Sequence, residues 1–120
     1  MLNLDTHVLV HALKGDLRAR ERALLSQSAW GVSAIVLWEL SKLVQLRRVE
    51  MDLESTEVRR ALASVHVWPL DLAIAITSTR LDFRADPADE IIGATSVVHG
   101  VPLLTRDRRL QKSKLVPIAR

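Results

Sequence analysis

The chain has 120 residues and a formal net charge of +3, the size of one domain. Its 48% hydrophobic content supplies one sizeable core, which Leu, Val, Ile and Ala must build because aromatics are only 3%; the 26% charged residues are ordinary for a globular protein. The absence of cysteine excludes disulfides and thiolate metal sites, and no basic segment leads into a long apolar stretch or approaches the roughly 18 residues of a membrane span, so a cytoplasmic, membrane-free protein is expected.

Met1 to Leu4 reads as a short buried strand ending at Asp5, and Thr6–Leu13 as a helix that Asp5 or Thr6 can cap. Gly15-Asp16 breaks it. A basic helix is predicted over Leu17–Gln27, followed by a strand at Trp30–Ser33. Ser33 caps a strong helix predicted over Ala34–Arg48, where Leu37, Leu40, Leu43 and Val44 recur at helical intervals. Asp52 is the expected cap of a helix over Asp52–Val65. An extended piece at His66–Leu70 and a helix over Asp71–Asp82 come next. Asp86-Pro87 opens a helix that runs to His99 and stops at Gly100; Asp86 is the expected N-cap, its carboxylate accepting the backbone N–H of residue 88 or 89. Val101–Thr105 reads as an apolar strand, Asp107–Gln111 as a short helix and Leu115–Ile118 as a final strand. No linker or repeat interrupts the series. Short apolar runs alternating with helices predict a parallel sheet flanked by helices, in one unit over residues 1–120.

Charge is unevenly placed. Residues 101–120 carry six basic residues against Asp107 alone, whereas residues 1–100 hold 11 basic and 13 acidic ones. A basic end on a slightly acidic body suggests a polyanionic partner, but charge alone favours a solvated terminal segment. Four acids fall at informative places on the map. Asp5 follows the first strand, Glu39 lies in the helix after the second, Asp89 in the first turn of the Pro87 helix, and Asp107 directly after the Val101–Thr105 strand. Ligands of open parallel sheets bind beyond the carboxyl ends of the strands, where Asp5 and Asp107 emerge. Carboxylates gathered there repel one another unless a cation lies between them. Oxygen donors without cysteine suit a hard ion such as Mg²⁺, which activates water and offsets charge on a phosphodiester. Each acid taken singly reads as a surface residue or a helix cap.

The segments around these acids resemble the PIN-domain family and its VapC-like toxin branch. Leu2-Asn3-Leu4-Asp5-Thr6-His7-Val8-Leu9 resembles the opening motif, and Ser33-Ala34-Ile35-Val36-Leu37-Trp38-Glu39-Leu40 the second. Asp86-Pro87-Ala88-Asp89-Glu90-Ile91-Ile92-Gly93-Ala94-Thr95-Ser96 resembles the third, and Leu103-Leu104-Thr105-Arg106-Asp107 the fourth. All four occur in family order across nearly the whole chain; Glu90 and Gly93 stand where the family more often has a basic residue and an alanine. The resemblance implies a three-layer α/β/α sandwich with a central, mainly parallel sheet. It implies RNA phosphodiester hydrolysis at a Mg²⁺ site, with Mn²⁺ as the alternative, held by Asp5, Glu39, Asp89 and Asp107. Thr6 and Thr105 become candidates to orient carboxylates or water. A homodimer and a cognate VapB-like antitoxin are the implied protein partners. On this reading Arg106, Arg108, Arg109 and Lys112 are candidate RNA contacts.

Other features weigh less. His7 and His11 have zinc-ligand spacing, but neither stands in a zinc-protease signature, and a surface pair at the rim is expected. Trp30, Trp38 and Trp68 are not spaced as a base-stacking platform and are expected in the core or an interface. Arg18, Arg20 and Arg22 are expected to form a solvated face. Two other functions compete. An aspartyl-phosphate phosphotransfer or phosphatase domain also uses an acid after its first strand. However, no second acid stands two residues after Asp5, and the last strand ends in Thr105-Arg106-Asp107 rather than a lysine. A non-catalytic PIN-like module that binds RNA or a partner gains nothing from a carboxylate cluster.

Overall fold

The computed structural model describes residues 1–120. Its elements are β1 (Leu2–Leu4), α1 (Thr6–Lys14), α2 (Ala19–Leu25), β2 (Trp30–Ser33), α3 (Ala34–Gln45), α4 (Thr56–Ala63), β3 (His66–Trp68), α5 (Leu72–Ser78), α6 (Pro87–His99), β4 (Leu103–Leu104) and α7 (Arg108–Gln111). The four strands form one all-parallel sheet in the order β3-β2-β1-β4, flanked by the helices as expected of the α/β sandwich. The register sets Asn3 beside Gly31 on one side and Leu103 on the other. Strand order therefore reverses direction between β1 and β4. Such a switch point opens a crevice beyond the strands' carboxyl ends, and this is where Asp5 and Thr105 leave the sheet.

Local chemistry accounts for most element ends. Asp5, in an extended conformation, caps α1 through its side chain, and Gly15 closes α1 at φ +74°, a left-handed geometry that suits glycine. Ser33 and Asp71 cap α3 and α5. Leu4, Leu9, Val32, Leu40, Ile92 and Leu103 are fully or almost fully buried at the centre of the core. Gly31 lies so close to Trp68 that a Cβ there would meet the indole ring at 2.5 Å. Trp68 is accordingly buried and stacks on His99 at 5.5 Å. Trp30 is partly buried with its indole N–H donating to Leu25 O, whereas Trp38 is 56% exposed.

One buried polar contact ties α6 to the sheet. The Asn3 side-chain amide donates to Ile92 O at 3.1 Å and to Ser96 Oγ at 2.9 Å, while Asn3 Oδ1 has no partner. The bonds anchor the helix that carries Asp89 against the strand that leads to Asp5.

Several predicted ends move. The helix after Ser33 stops at Gln45, because Arg47 turns left-handed (φ +58°) and the N–H groups of Arg48 and Val49 fold back on Leu43 O. Asp52 caps no helix; its carboxylate closes a turn on Glu54 N, and Ser55 caps α4. The helix after Asp71 ends at Ser78, where the hydroxyls of Ser78 and Thr79 donate to Ala75 O and Ile76 O. Asp86 is the N-cap residue but makes no side-chain cap bond; only its carbonyl takes part, accepting from Glu90 N. Pro87, at the first helical position, already has the helical φ built in. The final strand shrinks to one bridge between Leu103 and Ile118. Pro117 offers no N–H to a ladder, and Asp82 draws Ser113 and Lys114 into a turn.

Candidate functional site

Three of the four predicted acids are joined through threonine hydroxyls or lie on the same short network. Asp5 is only 6% exposed. Its Oδ1 accepts from Thr6 N at 2.8 Å and its Oδ2 from the Thr105 hydroxyl at 2.6 Å. The Thr6 hydroxyl in turn donates to Glu39 Oε1. Thr105 Oγ1 also accepts from Asp107 N at 3.0 Å, and the Asp107 carboxylate caps α7 by accepting from Arg109 N at 2.8 Å. The Gln111 side chain holds Thr105 O at 2.8 Å. Thr105 is thus the hub that links the end of β1 to the loop after β4, and Thr6 links β1 to α3.

Asp89, half-buried in the first turn of α6, is the fourth. Burial raises its carboxyl first, followed by the charges of Asp5, Glu39, Asp107 and Asp86; together they push it up to about 7, with no hydrogen bond to offset them. The fold therefore brings all four acids within electrostatic reach of one point. It does not draw them into a closed cage, since no three carboxylates stand close enough to form a ready-made metal chelate. A cavity of about 440 Å³ lies elsewhere, between the Ser78–Arg84 segment and Glu90, and none of the four acids lines it.

The basic candidates divide. The Arg106 guanidinium grips Glu21 through two parallel bonds, Nε to Oε2 and Nη2 to Oε1, each 2.7 Å. That commitment removes Arg106 from the set of freely available phosphate contacts. Arg109 donates to Arg84 O, and Arg108 and Lys112 are exposed. His11 Nδ1 pairs with Asp16 at 2.7 Å and His7 is exposed; neither belongs to a cluster of three or more metal-ligating side chains. Arg18, Arg20 and Arg22 are exposed as expected.

Glu21 was not among the residues singled out by sequence reasoning. It is 6% exposed, and Arg106, first by its side-chain hydrogen bonds, holds its carboxyl down at about 2 against the cost of burial. The one local signal was its place three residues after Arg18, whose backbone N–H donates to Glu21 Oε1 at 2.8 Å, one half of a capping box.

The PIN domain family model matches residues 3–114. The chain belongs to the PIN domain family. It is 30% identical over 100 residues to Ribonuclease VapC22 of Mycobacterium tuberculosis (strain ATCC 25618 / H37Rv), which covers 80% of this chain and 76% of that protein. Among solved structures, a toxin–antitoxin complex from Klebsiella pneumoniae contains a similar chain, with a TM-score of 0.76 at 20% identity over 99% of this PIN domain and 97% of that chain. VapBC2 from Rickettsia felis, bound to a DNA fragment from their promoter, has a TM-score of 0.75 at 14% identity over 99% and 98%. At these identities the likeness is one of fold.

Proposed function

We propose that this PIN domain is a divalent-metal-dependent endoribonuclease, the toxin of a toxin–antitoxin pair, with Asp5, Glu39, Asp89 and Asp107 as its metal-site acids. One observation carries the reading: Asp89 is half-buried facing the charges of Asp5, Glu39 and Asp107 with no donor to compensate it. Such an arrangement is costly without a cation and favourable around one. The donor set fits Mg²⁺, with Mn²⁺ as the alternative. It is all carboxylate and hydroxyl oxygen, and the chain has no cysteine. The open spacing of the acids also suits an ion that keeps several of its waters.

When bound, the metal would supply an activated water and offset charge developing on the phosphodiester. The chain's own residues hold the geometry. Thr105 and Thr6 orient Asp5 and Glu39, and Asn3 anchors the helix bearing Asp89. Asp5 is poorly placed to act as an attacking nucleophile, because both its oxygens are engaged and it is nearly buried. This favours hydrolysis over an aspartyl-phosphate route. Arg108, Arg109 and Lys112 are the proposed phosphate contacts. The similarity to Ribonuclease VapC22 supports RNA as substrate, and the fold shared with toxin–antitoxin complexes supports an antitoxin partner. A homodimer is part of the proposal, supported by the exposed apolar side chains Leu70, Leu72 and Ile76 at α5.

The deciding assay is cleavage of mixed RNA. Activity is expected with Mg²⁺ or Mn²⁺, lost in excess EDTA and restored on re-adding metal. Full activity in EDTA overturns the metal reading, and co-purification from the native operon tests the antitoxin.

A further inference from the structure

Arg106 occupies a surprising place for a cation. It sits between Thr105, which hydrogen-bonds Asp5, and Asp107, one of the four acids. Both its chain neighbours are thus tied to the acids, and a guanidinium has the fork geometry to bind carboxylates in pairs. It points instead to α2, where Glu21, 85 residues away in sequence, accepts both Nε and Nη2 at 2.7 Å. Glu21 is held in place by a second bond, from Arg18 N to Oε1 at 2.8 Å. The two side chains are 8% and 22% exposed, so the pair is largely out of water. Glu21 belongs to none of the family motifs and contacts none of the four acids.

We propose that Glu21 is a positioning residue for the acidic site, which it serves by sequestering Arg106 and so keeping a guanidinium from occupying the carboxylates that a divalent cation needs. Removing the charge of Glu21 releases Arg106, which then competes with metal as an internal cation. The proposal rests on the reading of the four acids as a metal site.

A charge-removal cycle tests it, with Mn²⁺ alone as the probe. Glu21→Gln keeps an acceptor for Arg18 N–H and removes the charge. Its Mn²⁺ affinity, measured by calorimetry, is expected to fall about tenfold, the scale of losses seen when residues around a metal's ligands are changed. The double variant Glu21→Gln/Arg106→Gln has no cation left to release, and its affinity is expected to return to within about threefold of the unmodified chain, even if its melting temperature does not recover. A pair that merely holds α2 in place gives the other pattern, with the double variant binding Mn²⁺ as weakly as the single one, and that result overturns the proposal. A crystal structure of metal-free Glu21→Gln provides an arm independent of metal. Arg106 is expected on Asp107 or Asp5, and a guanidinium still directed at residue 21 overturns sequestration. Should the unmodified chain bind no Mn²⁺, the metal reading falls, while this second arm still decides where Arg106 goes. If Glu21→Gln does not fold, Glu21→Met, which also removes the charge, replaces it with the same expected ordering.

Discussion

Two acids of this PIN domain are withdrawn from water and treated in opposite ways. Glu21 meets a bidentate arginine and a backbone N–H, and its carboxyl is held far below the usual range. Asp89 meets other acids, and its carboxyl is pushed up to about 7. The first arrangement completes its charge inside the chain, between α2 and the loop after β4. The second leaves charge incomplete at the mouth of the sheet. The contrast separates an acid whose charge is completed within the chain from one whose environment makes sense with an added cation, and residue type alone does not distinguish them.

The largest effect expected is at Asp89. Asp89→Asn should lower RNA cleavage by at least about 100-fold, more than changes beside a metal's ligands usually cause. The same change should stabilise the metal-free protein by about 1–2 kcal/mol at pH 8. The sign follows from the raised carboxyl: folding favours its protonated form, so the penalty grows as pH rises from 3.8 towards about 7 and is full above that. Urea unfolding in EDTA at pH 5 and pH 8 checks it; equal stability of the two proteins at both would erase the contrast. Glu21 should behave in mirror image. Its depressed carboxyl contributes stability that is complete above about pH 4.5 and lost as pH falls towards about 2. In Glu21→Gln the unfolding free energy should be flatter across that window by about 2 kcal/mol, allowing for the partial solvent exposure of Arg106.

Smaller effects sharpen the distinction between committed and free charge. Arg108→Ala and Lys112→Ala should each reduce the salt dependence of RNA binding by roughly one unit of slope. Arg106→Gln, which removes a cation already neutralised by Glu21, should leave that slope where it was. A slope that responds only to Arg106 would reverse the assignment. Asp86→Ser comes last. Since the Asp86 carboxylate makes no cap bond, stability should change by less than about 0.5 kcal/mol and most cleavage should remain.

Elements whose ends carry their own local chemistry were legible in the sequence. Asp5, Ser33, Asp71, Pro87 and Gly100 each mark a boundary that the structure keeps. Boundaries set by less specific means were not. A left-handed arginine ends α3 where no glycine announces it, and hydroxyls competing for carbonyls shorten α5. The candidate site was legible as four acids after strands and in the first halves of helices, because a parallel sheet gathers such positions at one edge. Its wiring was not, because Thr105 with Asp5 and Glu21 with Arg106 are contacts across 100 and 85 residues. No spacing rule reaches that far. A buried acid on a basic helix looks like a surface residue until the fold delivers its arginine.

The span between Asp5 and Thr105 has a consequence for timing. β1 is made well before its neighbour β4, and the hydroxyl that holds Asp5 arrives about 100 residues later. During synthesis the early acid has neither its strand partner nor its orienting threonine, and Asp107 does not yet exist. The constellation closes only when residues 103–107 have cleared the ribosome. Until then the chain holds its first three acids without the fourth and without the threonine that orients Asp5.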